Sequence, residues 1–401
     1  MKAVILAAGE GTRLRPFTAT EPKVMIPVAN KPILEYVVDA IVQNGIRDII
    51  MVVGYKRQKI MSYFGNGDDF GADIDYVVQK NQPPSGGTAH ALYQTKNKID
   101  EEFILFPGDN VISKETVSDL LENKEEYTIL ITRSENPSKY GVVTLKSGGK
   151  TVERIIEKPE KSPSHLISTG IYSFKPDIFD HIEKVMSEGD YDIPSAIEKI
   201  METDDIKAIK TKGDWIDAVY PWDLLQLNRA ALKETSKKYN GLIGENVMIK
   251  GNVKIGKGTR IRGGSFIEGP AVIGEGCDIG PDVCITSGSS IGDNTKIRPY
   301  TTVENSLVMD GVAIGTNSSV INSVIGSGVK IKNNFSTYSS DKKIETNGNL
   351  NLVEDIGCMI AEDSMIGSGV TIEAGVIVGK GCEIRSGRTV REKIESGSKV
   401  L

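Results

Sequence analysis

Aliphatic residues recur at every sixth position in the C-terminal part of this chain. The series comprises Ile243, Ile249, Ile255, Ile261, Ile267, Ile273, Ile279, Ile285, Ile291, Ile297 and Val303. A period of six fits neither an amphipathic helix, which repeats every 3.6 residues, nor an alternating strand, which repeats every two. It is typical of hexapeptide repeats that wind into a parallel β-helix. The repeat therefore predicts such a coil after Lys238.

The residues between the aliphatic positions support the same coil. Four residues after each aliphatic position the side chain is mostly small, as at Thr259 and Ser265, so it can fill the corner beside an inward aliphatic group. Glycine and asparagine, such as Gly276 and Asn294, are suited to the positive φ angles that corners require. Each flat face of the coil is expected to take one hexapeptide.

The repeat is less regular in its second half. It slips by one residue between Val320 and Ile325, and a polar stretch near residues 332–355 is out of register. We expect this stretch to leave the coil as an inserted loop. The repeat restarts at Ile360, so the predicted coil domain is 239–401.

The preceding residues, 1–238, alternate between strand-like and helix-like segments. Buried strands are predicted at 46–55, 101–109 and 127–133, and amphipathic helices at 33–45 and 114–124. This alternation predicts an α/β domain with a mainly parallel sheet covered by helices on both faces. Ligands of such sheets bind beyond the carboxyl ends of the strands.

Composition excludes several classes of partner. The 401-residue chain has a formal net charge of -6 and no basic run, which argues against nucleic acid or an anionic membrane surface. No segment approaches the roughly twenty apolar residues of a transmembrane helix, so we expect a cytoplasmic protein. The spacing of the four cysteines matches neither a metal site nor a disulfide framework.

A glycine-rich loop follows the first apolar strand. Gly9 and Gly11 allow close approach to the backbone, and Arg13, Arg15 and Lys23 add fixed positive charge, a combination that suits a nucleoside triphosphate. A dinucleotide fingerprint would need a third glycine or alanine where Leu14 stands, and a P-loop would need Gly-Lys-Ser/Thr. A purely structural turn is the remaining alternative.

Seven segments in order resemble sugar-1-phosphate nucleotidylyltransferases, which join a nucleoside monophosphate to a sugar phosphate. They are LAAGEGTRLRPFT with EPK near the N-terminus, GGTAHA at 86–91 after Gln79, PGDN at 107–110, YGVV at 140–143, EKP at 157–159, TGIYSF at 169–174 and WID at 215–217. The resemblance implies a Rossmann-like nucleotidyltransferase domain and a left-handed coil. Some members of the family with this two-domain plan are bifunctional N-acetylglucosamine-1-phosphate uridylyltransferases.

The resemblance also implies roles for charged residues. Arg13 and Lys23 become the candidate catalytic groups, which bind the triphosphate and stabilise the departing pyrophosphate. Asp109 and Asp217 stand where the family holds its metal, and Mg²⁺ bridging phosphates needs only one or two carboxylates.

Two further sets of residues are implied for the substrates. The nucleotide set, in which Gln79 reads the edge of uracil or thymine, is Ala7, Gly9, Gly11, Thr12, Gln79, Gly87 and Thr88. The sugar-phosphate set is Gly141, Glu157, Lys158, Thr169, Gly170 and Tyr172. Both UTP and dTTP are compatible with these motifs as the nucleotide substrate. Because Ser168 and Thr169 replace the Asn-Ala of N-acetylglucosamine-using relatives, glucose 1-phosphate and N-acetylglucosamine 1-phosphate stay open too.

The coil has two alternative roles. In bifunctional relatives it acetylates an amino-sugar phosphate with a histidine base, whereas this chain has no histidine after His181 and carries Thr316 and Ser319 at the matching stretch. Asn334, Lys342 and Lys343 are the remaining hints of a coenzyme site. We expect the coil instead to assemble a homo-oligomer, a trimer or larger. A non-catalytic regulator that binds a nucleotide sugar is a further alternative.

Overall fold

A computed structural model describes residues 1–80, 87–346 and 349–401. The chain forms two compact units. The first comprises Met1–Glu10, Pro22–Met25 and Ile33–Ile216, and the second comprises Gly11–Glu21, Ile26–Pro32 and Asp217–Leu401. This division differs from the boundary expected at residue 238, because two short N-terminal segments and the chain from Asp217 onward group with the coil.

Strands and helices alternate up to residue 232, as the sequence pattern indicates. The strands are β1 Lys2–Ala7, β2 Pro27–Val28, β3 Lys31–Pro32, β4 Asp48–Val53, β5 Asp73–Val78, β6 Phe103–Pro107, β7 Asn110–Ile112, β8 Thr128–Arg133, β9 Gly141–Leu145, β10 Val152–Glu157, β11 Leu166–Phe174, β12 Lys207–Lys210 and β13 Trp215–Asp217. The helices are α1 Ile33–Gln43, α2 Arg57–Phe64, α3 Thr88–Tyr93, α4 Lys114–Asn123, α5 Ile178–Ser187, α6 Ile193–Ile200 and α7 Asp223–Leu232. Short 3-10 helices form at Thr12–Leu14, Phe17–Ala19, Lys23–Met25, Asp68–Phe70, Lys96–Lys98 and Pro137–Lys139.

The sheet of the first unit has the order β10-β9-β11-β6-β1-β4-β5, and β8 and β12 join it through β11. Its β6, β1, β4 and β5 strands are parallel, as expected for strands joined through helices. The β11, β9 and β10 strands extend it with antiparallel pairs. The α/β prediction is confirmed, and the sheet is mixed.

The central strand β1 separates two apolar cores. Ala3 and Ile5 pack on the side of α1, whereas Val4 packs with α3, α5 and α6. All three residues are fully buried, so successive side chains of β1 serve opposite faces of the sheet. The glycine-rich loop therefore begins at the carboxyl end of a strand held rigidly on both sides.

The second unit contains the predicted parallel β-helix, whose strands follow one another around three parallel sheets. Face one contains Lys238–Tyr239, Val253–Ile255, Ala271–Ile273, Ser290–Ile291, Leu307–Val308, Val324–Ile325, Met359–Ile360 and Ile377–Val378. Face two contains Leu242–Ile243, Arg260–Ile261, Asp278–Ile279, Lys296–Ile297, Ala313–Ile314, Lys330–Ile331, Met365–Ile366, Glu383–Ile384 and Lys399–Val400. Face three contains Met248–Lys250, Phe266–Glu268, Cys284–Ile285, Thr302–Glu304, Ser319–Ile321, Ser336–Thr337, Thr371–Ile372 and Thr389–Val390.

The irregular stretch of the repeat has a structural cause. Val308 continues the buried core after Val303, so the coil is not interrupted there; one corner is a residue shorter. The same shortening recurs one turn later, and the two corners stack through the side chains of Asn305 and Asn322, both at positive φ. The apparent slip before Ile325 is therefore this second short corner.

The expected inserted loop is a β-hairpin that starts later than predicted. The polar stretch from residue 332 first completes face three with Ser336–Thr337, because Phe335 is buried in the core in place of a small residue. The hairpin pairs Ser340–Thr346 with Asn349–Ile356. It leaves the coil between faces three and one.

Across the described residues, no helix has the length and apolarity to cross a membrane.

Candidate active site

The glycine-rich loop begins where the buried strand β1 ends at Ala7. Gly9 is exposed, and Gly11 adopts a left-handed conformation with φ of 68° before the 3-10 helix that contains Thr12 and Arg13. The Thr18 hydroxyl donates a 2.9 Å hydrogen bond to the carbonyl of Gly11. This bond closes the loop, and the Arg13 side chain is exposed on it.

Gly9 is not required by the fold itself. A Cβ atom placed there would meet no atom of the described residues within 4 Å. Gly108 differs, because its added Cβ would lie 2.9 Å from the carbonyl oxygen of Leu6. Packing thus explains Gly108, whereas the space beside Gly9 is open to a ligand.

Lys23 and Asp109 form an ion pair in the first unit. Their Nζ and Oδ2 atoms are 2.6 Å apart, and the side chains are 12% and 34% exposed. Asp109 follows the carboxyl end of β6, the strand beside β1. The sequence analysis predicted that Lys23 binds the triphosphate and that Asp109 binds the metal. In the structure the two side chains are in direct contact.

The donor set at Asp109 fits a divalent cation. Its carboxylate is partly exposed, and the adjacent Asn110 has a buried Oδ1 atom that lacks a hydrogen-bond partner among the described residues. Oxygen donors of this kind suit Mg²⁺, which keeps several waters. Asp217 is half-buried at the end of β13. No cluster of three or more His, Cys, Asp or Glu side chains suited to a metal occurs in the described chain.

Gln79, the predicted base-reading residue, is positioned by His90. Its amide Nε2 lies 3.0 Å from Nδ1 of His90 on helix α3. Burial lowers the pKa of His90, so its ring is neutral at pH 7 and Nδ1 can accept the hydrogen bond from the amide. The motifs alone assigned no role to His90. Its place inside the GGTAHA motif was the signal available.

Gly87 and Thr88 lie at the start of α3. Gly87 has φ of 133°, and a Cβ there would come within 2.4 Å of the Tyr191 Cβ. The Thr88 hydroxyl accepts a 3.0 Å hydrogen bond from the amide of Ile193. These contacts fix the segment. Gly86, the first residue of the motif, lies outside the described residues.

Part of the sugar-phosphate set is brought together at the edge of the sheet. Gly141 and Glu157 are register partners on β9 and β10, and a Cβ at Gly141 would lie 3.1 Å from Glu157 Oε2. Lys158 pairs with Glu157 and has a positive φ of 42°, which is uncommon for lysine. Strained backbone of this kind often accompanies functional sites.

The remaining members of that set lie on β11. The Thr169 hydroxyl is buried and donates to the Leu130 carbonyl, and the Thr169 carbonyl accepts a 3.0 Å hydrogen bond from the indole of Trp215. Gly170 has φ of 77° and packs near Pro107. Tyr172 is 5% exposed, and its hydroxyl lies 2.9 Å from Ser168 Oγ. A sugar contact by Tyr172 stays a prediction.

The chain is similar in sequence to known nucleotidyltransferases. The nucleotidyl transferase family model matches residues 2–234, and a model described as the GMPPB C-terminal domain matches 261–340. The bifunctional protein GlmU of Methanocaldococcus jannaschii is 34% identical over 99% of this chain and 97% of its own length. A glucose-1-phosphate thymidylyltransferase of Streptomyces antibioticus is 35% identical over 74% of this chain and 84% of its own.

A solved structure is also similar. It is described as a glucose-1-phosphate thymidylyltransferase from Bacillus anthracis in complex with sucrose, and it aligns with a TM-score of 0.54 and 27% identity. The alignment covers 59% of this chain and 98% of that one. Nucleotidyltransferases of this kind use a nucleoside triphosphate and a sugar phosphate, and generally a divalent metal. The chain therefore belongs to the nucleotidyl transferase family, and its activity is sugar-1-phosphate nucleotidyl transfer.

Proposed function

We propose that this enzyme uses UTP or dTTP with glucose 1-phosphate or N-acetylglucosamine 1-phosphate, in the presence of Mg²⁺, and releases pyrophosphate. The observation that carries the proposal is the Lys23–Asp109 ion pair at the carboxyl ends of the parallel strands. It places a fixed cation beside a carboxylate suited to Mg²⁺, which is the arrangement that a triphosphate needs.

The reaction requires little covalent chemistry from the protein. An oxygen of the sugar phosphate attacks the α-phosphorus, and the bond from that phosphorus to the bridging oxygen breaks with its electron pair leaving on pyrophosphate. No general base is needed, because the attacking phosphate is already ionised. Lys23 and Arg13 neutralise the charge on the α-phosphate and the leaving group. Mg²⁺ held by Asp109, with Asp217 as the second proposed ligand, would neutralise further phosphate charge.

The pyrimidine preference is supported by the Gln79–His90 contact. If the Gln79 amide donates to His90 Nδ1, its Oε1 atom is the one directed to other partners. A carbonyl oxygen can accept a hydrogen bond from N3–H, which uracil and thymine both carry. Open space at Gly9 supports close approach of the nucleotide to the loop backbone that Ala7, Gly11 and Thr12 continue.

For the sugar phosphate, Lys158 is proposed to pair with the phosphate and Glu157 to accept hydrogen bonds from hydroxyl groups. Both charged groups are 42–45% exposed, so a ligand can reach them. Gly141 and Gly170 are proposed to contact the sugar ring through their backbone, because the position of an added Cβ atom at each is already close to Glu157 or Pro107.

A substrate panel tests this proposal. The enzyme is incubated with Mg²⁺, each of UTP, dTTP, GTP and ATP, and each of the two sugar phosphates, and pyrophosphate release is measured. We expect turnover with at least one pyrimidine triphosphate. Turnover with purine triphosphates alone would contradict the base assignment, and binding of nucleotide sugar with no turnover in any combination would favour a regulator.

We propose also that the coil assembles a homo-oligomer. Face two and face three carry exposed apolar side chains, among them Leu242, Met248 and Met365. Light scattering of the purified protein gives the mass directly. A monomer at micromolar concentration would contradict this proposal.

A further inference from the structure

The glycine-rich loop is attached to the coil by a side-chain contact. The Thr20 hydroxyl donates a hydrogen bond to Oε1 of Glu362, which lies two residues after face-one strand Met359–Ile360. The Glu362 side chain is only 13% exposed, and Lys380 Nζ lies 3.5 Å from the same oxygen. Hydrogen bonds to a charged acceptor are stronger than neutral ones. Thr20 is therefore held by a carboxylate that is itself held by a lysine.

This contact completes the fixing of the loop. Thr18 closes the loop onto Gly11, and Thr20 then ties its far end to the coil. The 3-10 helix that carries Arg13 lies in the chain between Gly11 and Thr18. The Arg13 segment thus depends on Thr18 within the loop and on Glu362 outside it.

A second attachment lies on the other side of Lys23 in the sequence. Asn228 on α7 is fully buried; its Oδ1 accepts hydrogen bonds from the Ala29 amide and the Ser290 hydroxyl, and its Nδ2 donates to the Gly288 carbonyl. Asn30 donates to the carbonyl of Ile291. Segments Gly11–Glu21 and Ile26–Pro32 therefore both rest on the coil.

We propose that Glu362 is a positioning residue for the nucleotide: through Thr20, the coil holds the glycine-rich loop in the conformation that binds the triphosphate. This inference rests on the proposed function. It gives the coil a part in nucleotidyl transfer that is separate from assembly and from acetyl transfer. Glu362 acts through Thr20 and is not itself a catalytic residue.

The test compares variants that break the hydrogen bond with variants that keep it. Thr20→Val and Glu362→Ala remove the donor or the acceptor, whereas Thr20→Ser and Glu362→Gln keep a hydroxyl and a carbonyl oxygen. We expect the first two to weaken UTP or dTTP binding by roughly tenfold, the usual effect of losing a hydrogen bond to a charged group. The second two should stay within about threefold of wild type. The double variant Thr20→Val/Glu362→Ala should be no weaker than either single variant.

Glu373→Ala is the matched control, because Glu373 forms an ion pair with Arg391 on face three instead. Its nucleotide affinity should be unchanged. The KM for the sugar phosphate should also be unchanged in all variants, which a general loss of structure would not produce. The proposal is overturned if Thr20→Val and Glu362→Ala bind the nucleotide normally, or if both KM values rise together with a lowered melting temperature.

Dissociation constants from calorimetry keep this test separate from that of the proposed function. A wild-type protein that binds UTP or dTTP without turnover would contradict the proposed function alone, and the two bond-breaking variants must then still bind about tenfold more weakly. A wild type that binds neither nucleotide would overturn both.

Discussion

Nζ of Lys23 lies 2.6 Å from Oδ2 of Asp109, although 86 residues separate them in sequence. Both side chains are mostly shielded from solvent, so the attraction between them is screened less than that of a surface pair. A phosphate held by Lys23 and a cation held by Asp109 would consequently be neighbours. The pair would therefore link the two proposed charge-neutralising functions.

The first prediction separates those two functions. Lys23→Ala and Asp109→Asn should each lower kcat by about two orders of magnitude, roughly 3 kcal/mol of transition-state stabilisation. The Mg²⁺ concentration for half-maximal rate should rise in Asp109→Asn, because a ligand is lost, but not in Lys23→Ala. Steady-state kinetics over a Mg²⁺ titration measure both quantities.

Lys98→Ala is the control for that prediction, since Lys98 forms an ion pair with Asp75 in the same unit, and both of these side chains are about half exposed. It should leave kcat within about twofold. If a folded Lys23→Ala or Asp109→Asn variant keeps near-normal turnover, that residue has no role in catalysis.

Gly9→Ala should weaken nucleotide binding without destabilising the fold. An added methyl group meets open space in the protein, so the melting temperature should change by no more than about 2 °C. The KM for the triphosphate should rise at least about fivefold, because the methyl group occupies the proposed approach to the backbone. Gly108→Ala serves for comparison and should lower the melting temperature, since its Cβ meets the Leu6 carbonyl. An unchanged KM in Gly9→Ala would show that the nucleotide does not approach there.

Nucleotide affinity should fall as the pH is lowered below the ordinary pKa of histidine, into the range where His90 gains a proton. Burial lowers the pKa of His90 from 6.5, so the ring is neutral at pH 7 and gains a proton only in more acidic solution. Protonated Nδ1 no longer accepts a hydrogen bond from Gln79, and the amide orientation is lost. His90→Asn should remove this part of the pH dependence, measured as the difference in UTP or dTTP affinity between variant and wild type from pH 5.5 to 7.5. Parallel profiles for the two proteins would exclude the role of His90.

Thiol labelling should distinguish one cysteine from the other three. Burial raises the pKa of Cys277 and Cys358 to about 11, and Cys382 is fully buried. Cys284 is partly exposed on face three, although burial raises its pKa too. At pH 8 we expect one thiol per chain to react with a disulfide reagent in the native protein and four in denaturant. Cys284→Ser should abolish the native reaction, and rapid labelling of a second thiol would contradict the packing of the coil.

The coil is not expected to transfer acetyl groups. The chain has no histidine after His181, and a neutral hydroxyl such as that of Thr316 or Ser319 is too weak a base to accept a proton from an ammonium group near pH 7. Release of coenzyme A from acetyl-coenzyme A with glucosamine 1-phosphate should stay at background. Clear turnover would contradict this prediction and direct mutagenesis to Asn334, Lys342 and Lys343.

The sequence by itself determined the architecture, because periodicity is a local property. A six-residue period specifies which side chain of each hexapeptide points inward, and Ile255 and Ile261 are fully buried as expected. The same pattern did not show that Phe335 could fill the core, so the predicted loop began too early. The prediction of a nucleotide-binding loop was also local, since Gly9, Gly11 and Arg13 are close in the chain.

The tertiary structure decided which distant residues meet. Lys23 meets Asp109 because β1 and β6 are adjacent in the sheet, an order that no local pattern encodes. Gln79, which directly follows β5, meets His90 on α3. The contact between Thr20 and Glu362 joins residues 342 positions apart, the first in the N-terminal loop and the second beside face one of the coil. Contacts of this kind arise from the packing of complete elements, so a sequence can supply their members but not their pairing.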